Sequence, residues 1–287
     1  MTDQFPALVP TSWLASRLAS PGLRVLDASW YLPGSGRDAT AEHVAGHIPG
    51  AVFFDLDAYS DQDSPLPHML PSAEVFSERM QRLGLNSSDD IVVYDGSGVN
   101  LSAARVWWTF RTFGHARVAV LDGGMQKWRR ENRPIELGRI GLPPGQFTAR
   151  LNPSAIRDLG AIWSNLQSRA ELLVDLRSRR RFMGLEPEPR AGIRGGHVPG
   201  SRNFPLTELV GPDGTMLPQD ELRRRMEAGG VDLTRPIVAT CGSGTSACAL
   251  VLALELLGRV AAVYDGAWTE WGGRTDTPVE TGLSTEG

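Results

Sequence analysis

Cysteine and lysine are scarce in this chain. Two cysteines, Cys241 and Cys248, occur in 287 residues. Two thiols cannot staple a chain of this length, and there is neither a Cys-x-x-Cys pair nor a zinc spacing. A cysteine-poor acidic chain fits a reducing compartment. Lys127 is the one lysine among 29 basic residues, a skew that reads mainly as genome codon bias, although arginine also suits a two-point grip on carboxylates. The net charge is −4 and the pI about 5.8. That leaves no broad basic surface for a phosphate backbone and sets nucleic acid aside as a partner. Long apolar runs are also missing. The longest, Ala247 to Leu257, is broken by Glu255 and falls short of the roughly 20 residues of a membrane span. The opening Met1-Thr2-Asp3-Gln4-Phe5-Pro6 has neither the basic start nor the apolar core of a secretory signal. These absences predict a cytoplasmic protein with no membrane partner.

What is present predicts folded domains. Hydrophobic residues make up 41% and charged residues 22% of the chain, which excludes a disordered or collagen-like protein. The length suits two domains of about 140 residues. An internal repeat supports that division. The first half carries Val25-Leu26-Asp27, His47-Ile48-Pro49-Gly50, Ile91 to Gly98, and Leu121-Asp122-Gly123-Gly124 followed by Trp128. The second half carries Val174-Asp175, His197-Val198-Pro199-Gly200, Ile237 to Gly244, and Tyr264-Asp265-Gly266-Ala267 followed by Trp271, in the same order. A Gly/Pro-rich stretch near residue 140 separates the copies. The expected division is a first domain over 7–138, a linker over 139–150 and a second domain over 151–280.

Each copy alternates strand and helix. Short β-branched runs at Ile91 to Tyr94 and Ile237 to Thr240 lead into small-residue loops. Helical patterns follow at Ser102 to Phe113 and Ser246 to Leu257, each ending at a glycine, Gly114 or Gly258. A further strand follows each. This alternation predicts an α/β fold, a mainly parallel sheet flanked by helices, in each copy.

The two loops differ in their chemistry. The second begins with Cys241 at a strand end, continues Gly242-Ser243-Gly244-Thr245-Ser246 and runs into a helix. The first is two residues longer and begins with Asp95, which marks its copy as non-catalytic. Two glycines let consecutive N–H groups turn inward. The free amides and the positive dipole end of the helix point the same way. Such a ring stabilises a thiolate nucleophile, and equally a persulfide anion on that sulfur. Cys248, within the apolar helix, reads as packing. His47 and His197 stand in His-x-Pro-Gly turns of both copies, so they read as parts of the fold. The tryptophans, including Trp107, Trp108, Trp268 and Trp271, read as packing residues.

These residues resemble the two-domain rhodanese-like sulfurtransferases over nearly the whole chain. The resemblance rests on His47-Ile48-Pro49-Gly50-Ala51, the Cys241 loop, and Tyr264-Asp265-Gly266-Ala267-Trp268-Thr269-Glu270-Trp271. It implies tandem duplicated rhodanese-like domains, the second catalytic. Within the family, thiosulfate enzymes usually carry basic residues just after the cysteine. The loop here, Cys241 to Ala247, has none and looks like that of the 3-mercaptopyruvate sulfurtransferases, whose common continuation Val-Thr-Ala is replaced by Thr245-Ser246-Ala247. The segment Arg181 to Arg190 matches the same subfamily. By resemblance, Arg181 and Arg190 bind the donor's carboxylate and keto oxygen, Asp57 orients His68, and His68 contacts Ser243. Gly242, Gly244, Thr245 and Ser246 line the sulfur-binding loop.

The implied reaction moves sulfane sulfur from 3-mercaptopyruvate through a Cys241 persulfide to a thiol, thioredoxin among them, or to cyanide. Pyruvate is released, and no metal or organic cofactor is needed. The alternative donor is thiosulfate. Two further readings compete. A cysteine phosphatase would close such a loop with arginine at the sixth position after the cysteine, where this chain has Ala247. A sulfur carrier without turnover would not need the full set of motifs.

Overall fold

The computed structural model describes residues 5–283. The chain divides into two compact units. Unit 1 takes the chain up to Asp63, then Leu70–Asn152 and Pro212–Met216. Unit 2 takes Ser64–Met69, Pro153–Gly211 and the chain from Leu217 onward. Each unit therefore includes a short segment from the other half of the sequence. Residues 139–150, expected as a linker, belong to unit 1. Phe147 explains their place: it is buried there, edge-on to Phe76 at 5.9 Å and to Phe110 at 5.8 Å.

Unit 1 is built from β1 (Leu8–Val9), α1 (Thr11–Ala15), β2 (Leu23–Asp27), α2 (Ala39–Ala45), β3 (Ala51–Phe53), α3 (Leu56–Tyr59), α4 (Ala73–Arg82), β4 (Asp90–Tyr94), α5 (Leu101–Thr112), β5 (Val118–Leu121) and α6 (Gly124–Arg130). Unit 2 follows with β6 (Ile156–Arg157), α7 (Leu159–Ser168), β7 (Leu172–Asp175), α8 (Arg179–Phe182), β8 (Arg202–Asn203), α9 (Gln219–Ala228), β9 (Ile237–Thr240), α10 (Ala247–Leu256), β10 (Ala261–Tyr264) and α11 (Ala267–Gly273). The sheet order is β1-β5-β4-β2-β3 in unit 1 and β6-β10-β9-β7-β8 in unit 2. The two orders are the same when each unit's strands are counted in chain order, and every pair is parallel. Duplication is thus visible in topology as well as in motif order.

The central strands are short and covered on both faces. All four residues of β9 and all four of β7 are buried, which is why their sequences are near-continuous apolar runs rather than alternating ones. Trp268 and Trp271 lie in the unit 2 core with Val238, Ala262 and Tyr264. His47 Nδ1 meets the His43 carbonyl at 2.8 Å, and His197 Nδ1 meets the Phe182 carbonyl at 2.9 Å. Each of these histidines also pairs through its backbone with a glutamate late in its copy, Glu136 or Glu280. They act within the fold. Among the described residues, no helix is long and apolar enough to cross a membrane.

Parallel sheets place their loops of opportunity at the carboxyl ends of the strands. In unit 2 those ends present Asp175, followed by Arg177, and Thr240, followed by Cys241.

Candidate active site

Cys241 follows the last residue of β9 and is 2% exposed. The loop after it is held from outside. The Trp268 N–H donates to the Cys241 carbonyl at 3.0 Å. The Thr269 N–H and hydroxyl donate to the Gly242 carbonyl at 2.8 and 2.6 Å. With its carbonyls turned to α11, the loop turns its amides the other way, and Gly244 at φ 77° completes the bend. None of the N–H groups of Gly242, Ser243, Thr245 and Ser246 donates to another described residue. The N-cap of α10, Ser246, makes no side-chain capping bond. At the helix start the Cys248 and Ala249 N–H groups donate to the Thr245 and Ser246 carbonyls at 3.3 and 3.1 Å, so the donors left for an occupant are those of the loop itself. Cys248 is fully buried and its Sγ–H donates to the Gly244 carbonyl at 3.3 Å, bracing the loop from beneath.

Unit 1 shows what such a loop holds. The Met125 N–H donates to the Asp95 carbonyl at 3.0 Å, the counterpart of the Trp268–Cys241 bond. The Asp95 carboxylate takes the N–H groups of Ser97 and Ala103, each at 2.8 Å, and the Ser97 hydroxyl at 2.5 Å. Burial raises the Asp95 pKa, and the bonds from Ala103 and Ser97 oppose that rise. Unit 1 thus fills its anion cradle with its own carboxylate. Unit 2 has a sulfur at that position.

One feature is strained. Ala267 takes φ 51°, a left-handed conformation unfavourable to a residue with a Cβ. Its counterpart, Gly124, has the same φ. This turn aims the next residue's N–H, that of Trp268, at the Cys241 carbonyl, so backbone strain is spent beside the reactive loop.

Two hydroxyls of the loop meet one imidazole. His68, 3% exposed, lies in the segment Ser64–Met69 that belongs to unit 2. Its Nδ1 is 3.0 Å from Ser243 Oγ and 3.0 Å from Thr245 Oγ1. Its backbone also takes a left-handed φ of 63°. Asp57 sits in α3 of unit 1 and accepts a hydrogen bond from Trp30 Nε1 at 2.9 Å.

The guanidinium of Arg181 lies against the loop. A Cβ added to Gly242 would stand 2.9 Å from Arg181 Nη2, so glycine is what lets the guanidinium approach. Arg181 projects from α8, whose N-cap Ser178 accepts from the Arg181 N–H. Its Nη2 pairs with Glu188. Arg190 borders a cavity of about 470 Å³ walled by residues between Gly184 and Gly195.

Motif reading did not single out Glu188 and Arg177, which join Arg181 in one ion-pair chain. Arg177 donates to both oxygens of Asp175 at 2.6–3.1 Å, to Glu188 at 2.8 Å and to the Gly196 carbonyl at 2.8 Å. Its guanidinium lies 4.3 Å from the Trp268 ring centroid. Burial opposes its charge, but Asp175 and Glu188 outweigh burial and raise its pKa. Glu188 is therefore shared between a buried structural arginine and the arginine at the loop. The available signal was an acid inside the Arg181–Arg190 motif, together with an arginine two residues beyond a strand-end aspartate.

Comparison with known proteins identifies the family and the fold. The family model described as "Rhodanese-like domain" matches residues 11–131 and 159–274. A 3-mercaptopyruvate sulfurtransferase of Rattus norvegicus is 48% identical over 93% of this chain and 92% of its own. A thiosulfate sulfurtransferase of Bos taurus is 43% identical over 98% and 96%. The crystal structure of SseA from Escherichia coli, a 3-mercaptopyruvate sulfotransferase, superposes with a TM-score of 0.84 at 40% identity, covering 92% of this chain and 99% of that one.

Proposed function

Because this chain belongs to the rhodanese-like family and carries two copies of its domain, we propose that it is a sulfurtransferase taking sulfane sulfur from 3-mercaptopyruvate, with Cys241 as the carrier. The observation behind this reading is the Cys241 loop: a buried cysteine at a strand end, the N–H groups of Gly242, Ser243, Thr245 and Ser246 donating to no backbone carbonyl of the described residues, one guanidinium laid against Gly242, and no basic residue in the loop itself. The Cys241 thiolate attacks the donor sulfur, pyruvate leaves as its enolate, and the amides of the loop hold the resulting persulfide. Arg181 and Arg190 hold the carboxylate and keto oxygen of the donor. Ser243 and His68 move the proton that the enolate needs. A second nucleophile, a thiol or thioredoxin in the cell or cyanide in an assay, then removes the outer sulfur. Free Cys241 and Cys248 suit the cytoplasm.

Thiosulfate is the second reading, favoured by the bovine relative. It is a dianion, and a loop of neutral residues offers it less than one with basic residues would. Steady-state kinetics with both donors decide between them. We expect kcat/KM for 3-mercaptopyruvate to exceed that for thiosulfate by about tenfold or more, the scale of one lost charge-assisted contact. A clear preference for thiosulfate overturns the donor assignment.

Arg181→Ala tests the grip. Glu188 keeps Arg177 as a partner when Arg181 is removed, so the fold should survive. We expect kcat/KM for 3-mercaptopyruvate to fall about 10- to 100-fold, the worth of a charged hydrogen bond. Removal of sulfur from a preformed persulfide by cyanide should be little changed. An equal loss in both half-reactions would place Arg181 outside the donor site.

A further inference from the structure

The contact between His68 and Thr245 goes beyond the roles assigned above. A neutral imidazole nitrogen without hydrogen has one lone pair and accepts from one hydroxyl at a time. Here Nδ1 has two hydroxyls at the same distance, 3.0 Å, from Ser243 and Thr245. All three side chains are buried, His68 and Thr245 at 3% exposure and Ser243 at 7%, which leaves little room for water to relieve either hydroxyl. His68 is also held in a left-handed backbone conformation. Strain of that kind persists only where the surroundings enforce it.

We propose that Thr245 is a catalytic residue whose hydroxyl is the second arm of a proton shuttle centred on His68 Nδ1, with Ser243 as the first. The inference rests on 3-mercaptopyruvate as donor, whose chemistry sets the need. When Cys241 Sγ attacks the donor sulfur, an S–S bond forms and the C–S bond breaks. Its electron pair goes to carbon as the pyruvate enolate. The proton on the donor sulfur is then surplus, and the enolate carbon lacks one. One hydroxyl takes the sulfur's proton while passing its own to Nδ1. Nδ1 passes a proton to the other hydroxyl, which gives its own to the enolate carbon. The products are pyruvate and a persulfide anion, and both hydroxyls and the imidazole return to their starting states. One hydroxyl alone would have to rotate between the two tasks inside a packed site. Two hydroxyls on one nitrogen avoid that rotation.

The test is the rate of pyruvate release with saturating 3-mercaptopyruvate in the intact chain. Thr245→Val should lower the rate about 100-fold, the low side of an acid–base contribution, with KM within about twofold. Thr245→Ala, which places no methyl against the ring, should match it. Thr245→Ser should restore the rate to within about twofold of the unaltered protein. Because the arms act in series, Ser243→Ala combined with Thr245→Val should be no slower than the slower single variant. The proposal falls if Thr245→Val and Thr245→Ala keep the unaltered rate, if Thr245→Ser is as slow as they are, or if the two losses multiply. An unaltered protein that releases no pyruvate from this donor would overturn the donor assignment, and the shuttle with it. Normal release with the wrong pattern of variants overturns the shuttle alone.

Discussion

Cys241→Ser protein should release no measurable pyruvate from 3-mercaptopyruvate and no thiocyanate from either donor, while unfolding at nearly the same temperature as the unaltered chain. The chemical part follows from the nucleophile. A serine hydroxyl in the same loop stays protonated at neutral pH and cannot carry a sulfane sulfur. Loss of a nucleophile costs about 10⁴-fold or more in kcat. The structural part follows from size. The exchange replaces one small buried atom with another, and the loop is held by carbonyl bonds from Trp268 and Thr269 that do not involve the side chain. Mass spectrometry supplies the direct check. Donor treatment should add about 32 Da, one sulfur atom, to the unaltered chain and nothing to the variant, and cyanide should remove it. An adduct that forms on the variant would move the carrier to Cys248. Full turnover in the variant would end the persulfide mechanism.

Much of this architecture could be read from the residues because it rests on local rules. Strand β9 spans Ile237–Thr240 as its β-branched run predicts. Helices α5 and α10 stop just before Gly114 and Gly258, whose φ values of 83° and 71° are the left-handed ones expected after a helix. The repeat showed in motif order, and the two sheets carry it in strand order. The loop could be read for the same reason: two glycines between a strand and a helix leave the amides few directions to face. The reading faltered where long-range packing decides. Gly/Pro content suggested a linker over 139–150, and the burial of Phe147 among the unit 1 phenylalanines was not legible there. Nothing local to Ser64–Met69 shows that these residues join unit 2, and that placement is what sets His68 on the loop hydroxyls. Glu188 and Arg177 were missed because composition makes them ordinary. Only a fold that buries them against Asp175 and Trp268 makes them a network.

That network carries the largest stability effect we expect. Arg177 and Asp175 have side chains 1% and 2% exposed, and Glu188 is 4% exposed. Removing one member of a buried ionic group costs about 3–5 kcal/mol, because the partners keep the cost of burial without its compensation. In Arg177→Met, the Asp175 carboxylate loses the guanidinium that grips both its oxygens, and the Gly196 carbonyl loses a donor. The melting temperature should therefore fall by about 10 °C. Arg177→Lys should recover only part of this, since one ammonium cannot reach Asp175, Glu188 and Gly196 with the geometry of a planar fork. Activity should respond as well. Without Arg177, Glu188 keeps Arg181 as its one ion-pair partner among the described residues, which ties that guanidinium more tightly to the protein and less to a donor. Below the melting range, KM for 3-mercaptopyruvate should rise more than kcat falls. If Arg177→Met melts within a degree or two of the unaltered protein, the Asp175–Arg177–Glu188 chain is not what holds Arg181 to the loop.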